Sequence, residues 1–486
     1  MPVTIAFLLR QRTLATFLII AFVAAACKKA SPPAVVGPVP SEAQLEWHRM
    51  ELSAFIHFSM NTFTDKEWGF GDENPSLFNP SSLDVEQWVL TLKQAGFQCV
   101  ILTCKHHDGF CLWPSQYTEH SIKNSPYLDG SGDIVKNLSQ ACKKYGLRFG
   151  IYLSPWDRNH KGYGTQNYIT YYRNQLNELF ENYGPVFEMW FDGANGGDGY
   201  YGGANQVRRI DGSSYYDWPT TLDLVRQYEP DIIFFSDAGP GVRWVGNERG
   251  IASETNWNMI TADSLYAGKE GIQELLNTGS ENGKQWIPAE VDVSIRPGWF
   301  YHANEDSLVK TAEELFDIYL TSVGRGSTLL LNIPPDQRGL IHEKDSTTIM
   351  QWRELLESEF KTNLLTNALV RTSESRSSDY PGSNMLDGVD STYWATKDGA
   401  KEGVVELNLP EPIMPRYFVL QEYIPLGQRV QEFVIEAYAE GKWTEIGNGT
   451  TIGYKRILKT SPFRASKFRI TFNSRACLVI SNLEAY

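Results

Sequence analysis

Cysteine, histidine and positive charge are all scarce in this 486-residue chain. Its 6 Cys (Cys27, Cys99, Cys104, Cys111, Cys142 and Cys477) show no framework spacing, which excludes a disulfide-stapled scaffold. Cys99, Cys104 and Cys142 sit in apolar patterns and read as small buried residues. The 8 His are scattered, with no His-x-His or HExxH pair. Adjacent His106 and His107 on an extended segment point to opposite faces, so no metal and no cofactor is expected. Lys and Arg number 44 against 58 Asp and Glu, a net charge of −14. A nucleic-acid partner, which needs a basic surface to neutralise phosphates, is thereby excluded. Only one long apolar run occurs, near the N-terminus, so the chain is not a polytopic membrane protein. Internal repeats are absent too.

Aromatic residues, by contrast, make up 13% of the chain. Most serve a large core, and some suit a platform for the flat apolar face of a sugar ring.

Residues 1–27 read as an export signal. Arg10 and Arg12 form a basic start, Leu14–Ala26 a short apolar stretch, and Ala24, Ala25 and Ala26 a small-residue cleavage site. The Ala-Ala-Ala-Cys ending resembles a bacterial lipoprotein signal with Cys27 lipidated, although Ala24 stands where Leu or Val is usual. A periplasm-facing envelope lipoprotein is expected, with simple secretion as the alternative and the membrane touched only through the lipid anchor. Residues 28–40 (KKASPPAVVGPVP) read as a Pro-rich tether.

From residue 41 to 361, short apolar runs alternate with amphipathic segments. Strands are expected at 53–59, 98–103, 148–154, 186–191 and 232–236, more weakly at 251–253 and 286–292, and finally at 327–332. Helical patterns at 84–95, 133–145, 166–183, 221–228 and 307–323 mostly begin on Asp or Ser and stop at or just before Gly or Pro. About eight strands alternating with helices predict an α/β fold, a (β/α)₈-like barrel, irregular after the fifth strand, where no helix is evident. From 362 to 486 short alternating strands between turns predict a β-sandwich.

In such a barrel the chemistry lies where the strands run out. His57, Lys105-His106-His107-Asp108, Trp156-Asp157-Arg158, Asp192, Asp237 and Asn332 all fall at predicted strand ends. Asp192, ahead of a glycine-rich turn, has the placement a glycosidase nucleophile needs. A partner carboxyl must protonate the leaving oxygen. Glu248, Glu254 and Glu290 each have a Trp nearby that could raise the pKa, and spacing does not choose among them. His106 and His107 can bond sugar hydroxyls, and Glu67-Trp68 offers a carboxylate beside a ring.

Several segments together resemble glycoside hydrolase family 29, the retaining α-L-fucosidases. They are Phe55–Phe58, Thr64–Gly69, Cys104–Phe110, Tyr152–Asp157, Trp190–Ala194 and Leu330–Pro335. Arg243–Glu248 and Ser294–His302 are similar to the subfamily that prefers α-1,3/1,4-linked fucose on Lewis-type glycans. The resemblance implies Asp192 as nucleophile and Glu248 as acid/base, with Glu254 and Glu290 still open because the insertion Gly197–Tyr216 lengthens the gap. It implies fucose contacts from His57, Glu67, Trp68, His106, His107, Tyr152 and Trp299, and more distant contacts from Glu290, Asp292 and Arg296. The implied activity is exo-hydrolysis of terminal fucose from oligosaccharides or glycoconjugates without a cofactor. A broader fucosidase or an inactive glycan-binding relative are the alternatives. Met385–Gly388, Thr392–Thr396 and Gly449–Gly453 are similar to discoidin-type (F5/8 type C) sandwiches.

Overall fold

A computed structural model describes residues 30–486; the export signal and Cys27 lie outside the described residues. Eight parallel strands close into a barrel: β1 (Leu52–Ile56), β2 (Cys99–Lys105), β3 (Arg148–Leu153), β4 (Glu188–Trp190), β5 (Ile233–Ser236), β6 (Val242–Trp244), β7 (Ala289–Ser294) and β8 (Thr328–Asn332). Each pairs with its neighbours in the chain, and β8 returns to β1 in the register Leu52↔Leu329 to Phe55↔Asn332. Strands covered on both faces are rich in apolar residues, and every residue of β1, β2, β7 and β8 is buried, the charged Lys105, Glu290 and Asp292 included.

Two expected strands move. Residues 251–253 are loop, and the sixth strand is β6, ahead of them. It carries a buried Arg243 at its centre, so it presents no apolar run to a sequence reading. Trp286 pairs with Met259 in a small ribbon outside the barrel, and β7 begins only at Ala289. Between β5 and β6 there is a turn and no helix, which is the expected irregularity.

The helix Glu42–Met50 plugs the base of the barrel. Ser41 and Gln44 form a reciprocal capping box at its start. Trp47 is fully buried and packs with Phe55, Ile101, Tyr152, Trp190 and Ile233 in the barrel interior. At ~25 cal/mol per Å² over the ~200 Å² of an indole, seating Trp47 contributes roughly 5 kcal/mol.

The C-terminal unit is an antiparallel sandwich. A five-stranded sheet orders Leu369–Thr372, Glu402–Ile413, Ala465–Ser474, Val430–Ala439 and Lys442–Gly449. A four-stranded sheet orders Trp394–Ala395, Val479–Ala485, Tyr417–Glu422 and Arg456–Lys459. Alternating residues such as Phe468, Ile470 and Phe472 fill the space between. Residues 30–40 do not run free as a tether. Ala30 N–H donates to Asp379 (2.9 Å), Val36 N–H to the Leu426 carbonyl (3.1 Å), and Arg429 to the Ala34 carbonyl (2.6 Å), all on the sandwich.

Candidate active site

The C-terminal ends of the barrel strands open into a cavity of about 440 Å³, within the range of small-ligand sites. Its wall runs around the mouth in strand order: His57 after β1, His106 and His107 after β2, Tyr152 on β3, Asp192 after β4, Asp237 after β5, and Trp244 and Glu248 from β6 onward. Asp292 on β7 and Trp299 beyond it complete the circuit, and Trp68 stands at the rim, 52% exposed.

Asp192 Oδ2 accepts from the Tyr152 hydroxyl (2.9 Å), and Oδ1 accepts from the Ala194 N–H (2.7 Å). Burial raises its pKa, and these two donors oppose the rise by favouring the charged form. Burial also raises the pKa of Glu248, and the charges of Asp192 and Glu67 add to it, while the Trp299 indole N–H (3.3 Å) opposes. Among the described residues no Lys or Arg pairs with either carboxyl. Gly193, next to Asp192, lies close against the Asp237 carboxylate, and a Cβ there would force that side chain to shift.

The three imidazoles are neutral near pH 7. Burial drives His57 and His107 down to about 3 and His106 well below its usual value. Their tautomers follow from their partners. His57 Nδ1 meets the Asn332 amide oxygen (2.8 Å), whose own NH₂ donates to Ser294 and to the Trp299 carbonyl. Nδ1 is therefore the donor, and Nε2 is left as an acceptor. His107 Nδ1 faces Ser154 Oγ (2.7 Å), and that hydroxyl gives its proton to the Trp156 carbonyl (2.6 Å). His107 Nε2 is again an acceptor, 3.8 Å from Asp192 Oδ2, too far for a direct bond. His106 stacks on Tyr152, with ring centroids 5.7 Å apart, and its Nδ1 is buried with no protein partner.

Beneath these rings Lys105 is fully buried. It donates to Asp157 (3.1 Å) and Gln175 (2.8 Å) within a cage of Tyr168, Tyr171 and Tyr172. The Lys-His-His-Asp run thus has a divided use: the imidazoles face the cavity, and the ammonium fixes the strand end from behind. The insertion Gly197–Tyr216 packs there too, with Tyr201 accepting from the Trp156 indole (2.9 Å).

Not every residue expected at the site reaches the cavity. Glu67 lies behind Trp299, accepting from the Trp299 and Phe300 N–H groups (2.8 and 3.1 Å) and meeting His302 (2.7 Å). Glu254 is on the outer surface, paired with Arg325 (3.3 Å). Glu290 is fully buried below the floor, accepting from the Trp190 indole (2.9 Å) and the Trp47 indole (3.3 Å) beside Glu188. Arg296 is buried away from the cavity, bound to Asp345 and Asp306. Neither Glu254 nor Glu290 is placed to protonate a leaving group in this cavity.

The sequence gives no site role to Asp237, Lys269 and Gln273, which line the wall together with Trp244, the Trp expected near Glu248. Asp237 was visible only as a strand-end acid. Its Oδ2 accepts from the Gly268 N–H (2.7 Å), and burial, aided by the charge of Asp192, pushes its pKa up to about 6. Lys269 and Gln273 lie beside Gly268 and Gly271, two left-handed positions that bend this loop over the mouth.

Residues 33–358 match the family model described as alpha-L-fucosidase, and residues 370–482 match the F5/8 type C domain. The chain is 42% identical over 433 residues to Alpha-L-fucosidase 1 of Arabidopsis thaliana, covering 88% of this chain and 83% of the relative. A glycoside hydrolase 29 family member from an unknown rumen bacterium superposes with a TM-score of 0.83 at 44% identity, over 93% of this chain and 78% of that one. A Ruminococcus gnavus GH29 fucosidase in complex with fucose gives 0.85 at 35% identity, over 94% and 96%.

Proposed function

The chain belongs to the alpha-L-fucosidase family, glycoside hydrolase family 29, with a C-terminal F5/8 type C domain; we propose that it works by a retaining mechanism and prefers α-1,3/1,4 linkages. One observation carries the assignment of roles. Asp192, which accepts from Tyr152 and Ala194, and Glu248, which accepts only from the Trp299 indole, share a single cavity; burial raises the pKa of both, and among the described residues no Lys or Arg pairs with either.

Asp192 attacks the anomeric carbon of the terminal fucose. The glycosidic bond breaks toward the departing oxygen, which takes the proton of Glu248. A covalent fucosyl ester on Asp192 results. Glu248, now ionised, removes a proton from water, the hydroxyl displaces Asp192, and L-fucose leaves with its anomeric configuration retained. His57 and His107 accept hydrogen bonds from sugar hydroxyls through Nε2. Tyr152 keeps its own proton, since burial and the neighbouring Asp192 raise its pKa well above the usual value; its bond to Asp192 holds the nucleophile in line.

The linkage preference rests on the likeness of Arg243–Glu248 and Ser294–His302 to the α-1,3/1,4 subfamily, with Lewis-type glycans as substrates. Cys27 is proposed to carry lipid, fixing the enzyme to the cell envelope.

The test compares fucose release from a Lewis a trisaccharide, an α-1,2-fucosylated disaccharide and an aryl α-L-fucoside, with anomeric configuration followed by NMR. Release from the branched sugar with retention, abolished in Asp192→Ala, supports the proposal. Equal release from both oligosaccharides removes the linkage preference, and inversion removes the mechanism.

A further inference from the structure

Glu248 rides on a loop whose two ends are brought together at a neck. The loop leaves the barrel after β6 and returns at Asn256. Arg243 of β6 ties the neck: its guanidinium donates to Asn256 Oδ1 and to the Trp257 carbonyl, both at 3.0 Å. The same group donates to the carbonyls of Leu276 (2.7 Å) and Ile287, so it also fixes the helix Gln273–Thr278 that walls the cavity. Arg243 is completely buried, with only amide and carbonyl partners. A guanidinium in such a setting is stable only while all its acceptors stay in place.

The Asn256–Trp257 pair of acceptors is held from two sides, by Arg325 and Ser327 next to β8 and by the sandwich. Gln428 of the sandwich is fully buried and reads the neck like a neighbouring strand. Its Oε1 accepts from the Asn258 N–H (2.8 Å), and its Nε2 donates to the Asn256 carbonyl (2.9 Å). Thr451 Oγ1 accepts from the Asn256 N–H (2.8 Å). Thr450 and Arg456 each donate to the Glu254 carbonyl at 2.8 Å. One unbroken set of buried bonds therefore runs from the sandwich, through Asn256 and Arg243, to the strand that launches Glu248.

We infer that Gln428, with Thr451, is a positioning residue for the acid/base: the sandwich completes the catalytic constellation by clamping the neck of the Glu248 loop. This rests on the reading of Glu248 as the acid. A leaving oxygen that needs a proton is sensitive to where Glu248 stands. An activated aryloxide, which departs unprotonated, is not. Mis-set acid therefore shows as a selective loss.

The experiment uses the full chain with Gln428→Met, which keeps the length and removes both polar contacts, and with the milder Thr451→Val. Each is checked by thermal melting and assayed on the trisaccharide and on aryl fucosides of graded leaving-group pKa, with Glu248→Ala alongside. Loss of about tenfold or more on the trisaccharide and on the poor leaving groups, against little change on the best one, is expected from the share general acid catalysis supplies. Gln428→Asn, too short for both bonds, should not rescue, and Gln428→Glu, which keeps the acceptor, should rescue in part. Equal loss on all substrates, or no loss in a folded variant, overturns the inference. If Glu248→Ala itself fails to discriminate leaving groups, the assignment of the acid has failed instead, and the two failures are read from separate variants.

Discussion

The carboxyl pair under the cavity floor makes the strongest quantitative prediction. Glu188 and Glu290 are both fully buried side by side in the barrel. Facing them are the Cys99 thiol and the Trp47 and Trp190 indoles; among the described residues no Lys or Arg pairs with either. Burial lifts Glu290 from an ordinary 4.5 to about 7, against the opposing bonds from Trp190, Glu188 and Trp47. Burial and the neighbouring Glu290 lift Glu188 well above the usual range. The folded chain therefore keeps protons that the unfolded chain has lost. The associated stability is fully present below pH 4.5 and disappears as pH rises through about 7. At roughly 1.4 kcal/mol per pH unit, the contribution of Glu290 over that window is about 3 kcal/mol. Glu290→Gln keeps an acceptor for Trp190 and cannot ionise. Relative to wild type, the variant should gain about 3 kcal/mol between pH 4.5 and pH 8, seen as a displacement of several degrees in the difference between the two melting midpoints. Groups that do not interact with Glu290 cancel in that difference, and Glu188, freed of the Glu290 charge, shifts it in the same direction. Parallel midpoints across the range, or a variant that falls behind wild type as pH rises, would refute the reasoning.

Three further outcomes are expected. Tyr152→Phe removes a donor to ionised Asp192; such bonds are worth about 1.5–3 kcal/mol, so kcat/KM should fall roughly tenfold to a hundredfold, and the acidic limb of its pH profile should move to higher pH. Lys105→Met leaves Asp157 buried without its cation, and the barrel should lose about 3–5 kcal/mol of stability in denaturant titration. Gly193→Ala drives a methyl into the Asp237 carboxylate and should depress activity; the double variant Gly193→Ala/Asp237→Ala should recover part of it, a coupling visible in a double-mutant cycle.

The legible parts of this molecule were those where one physical signal spoke alone. Strand β8 carries the apolar run Leu329–Leu331 ahead of Asn332, and the ring of strand-end polar residues marks the mouth from the sequence alone. The sixth strand was hidden because Arg243 occupies the middle of only three residues, and its burial is justified by carbonyls 14 to 44 positions away in sequence. Glu290 looked like a candidate acid because Trp286 is near it in the chain. In space the indoles that matter are Trp47 and Trp190, and they hold it below the floor. In the sandwich the short strands Trp394–Ala395 and Leu369–Thr372 show too little alternation to be read, and the longer Lys442–Gly449 and Val479–Ala485 escape a sequence reading as well. Tautomers of His57 and His107 depend on Asn332 and Ser154, partners no local pattern reveals.

The extended run over residues 30–40 also decides how the molecule bears tension. Its bonds to Asp379, Leu426 and Arg429 lie ahead of the helix Glu42–Met50 and of β1 in the chain. A pull applied at the N-terminus is therefore delivered first to the sandwich, in which Arg429 is itself buried and bonded to the Cys477 and Leu426 carbonyls. The barrel's first strand feels that force only after the sandwich contacts have given way. A load applied ahead of residue 30 would thus be taken first by these peripheral bonds and not by the strands that shape the cavity.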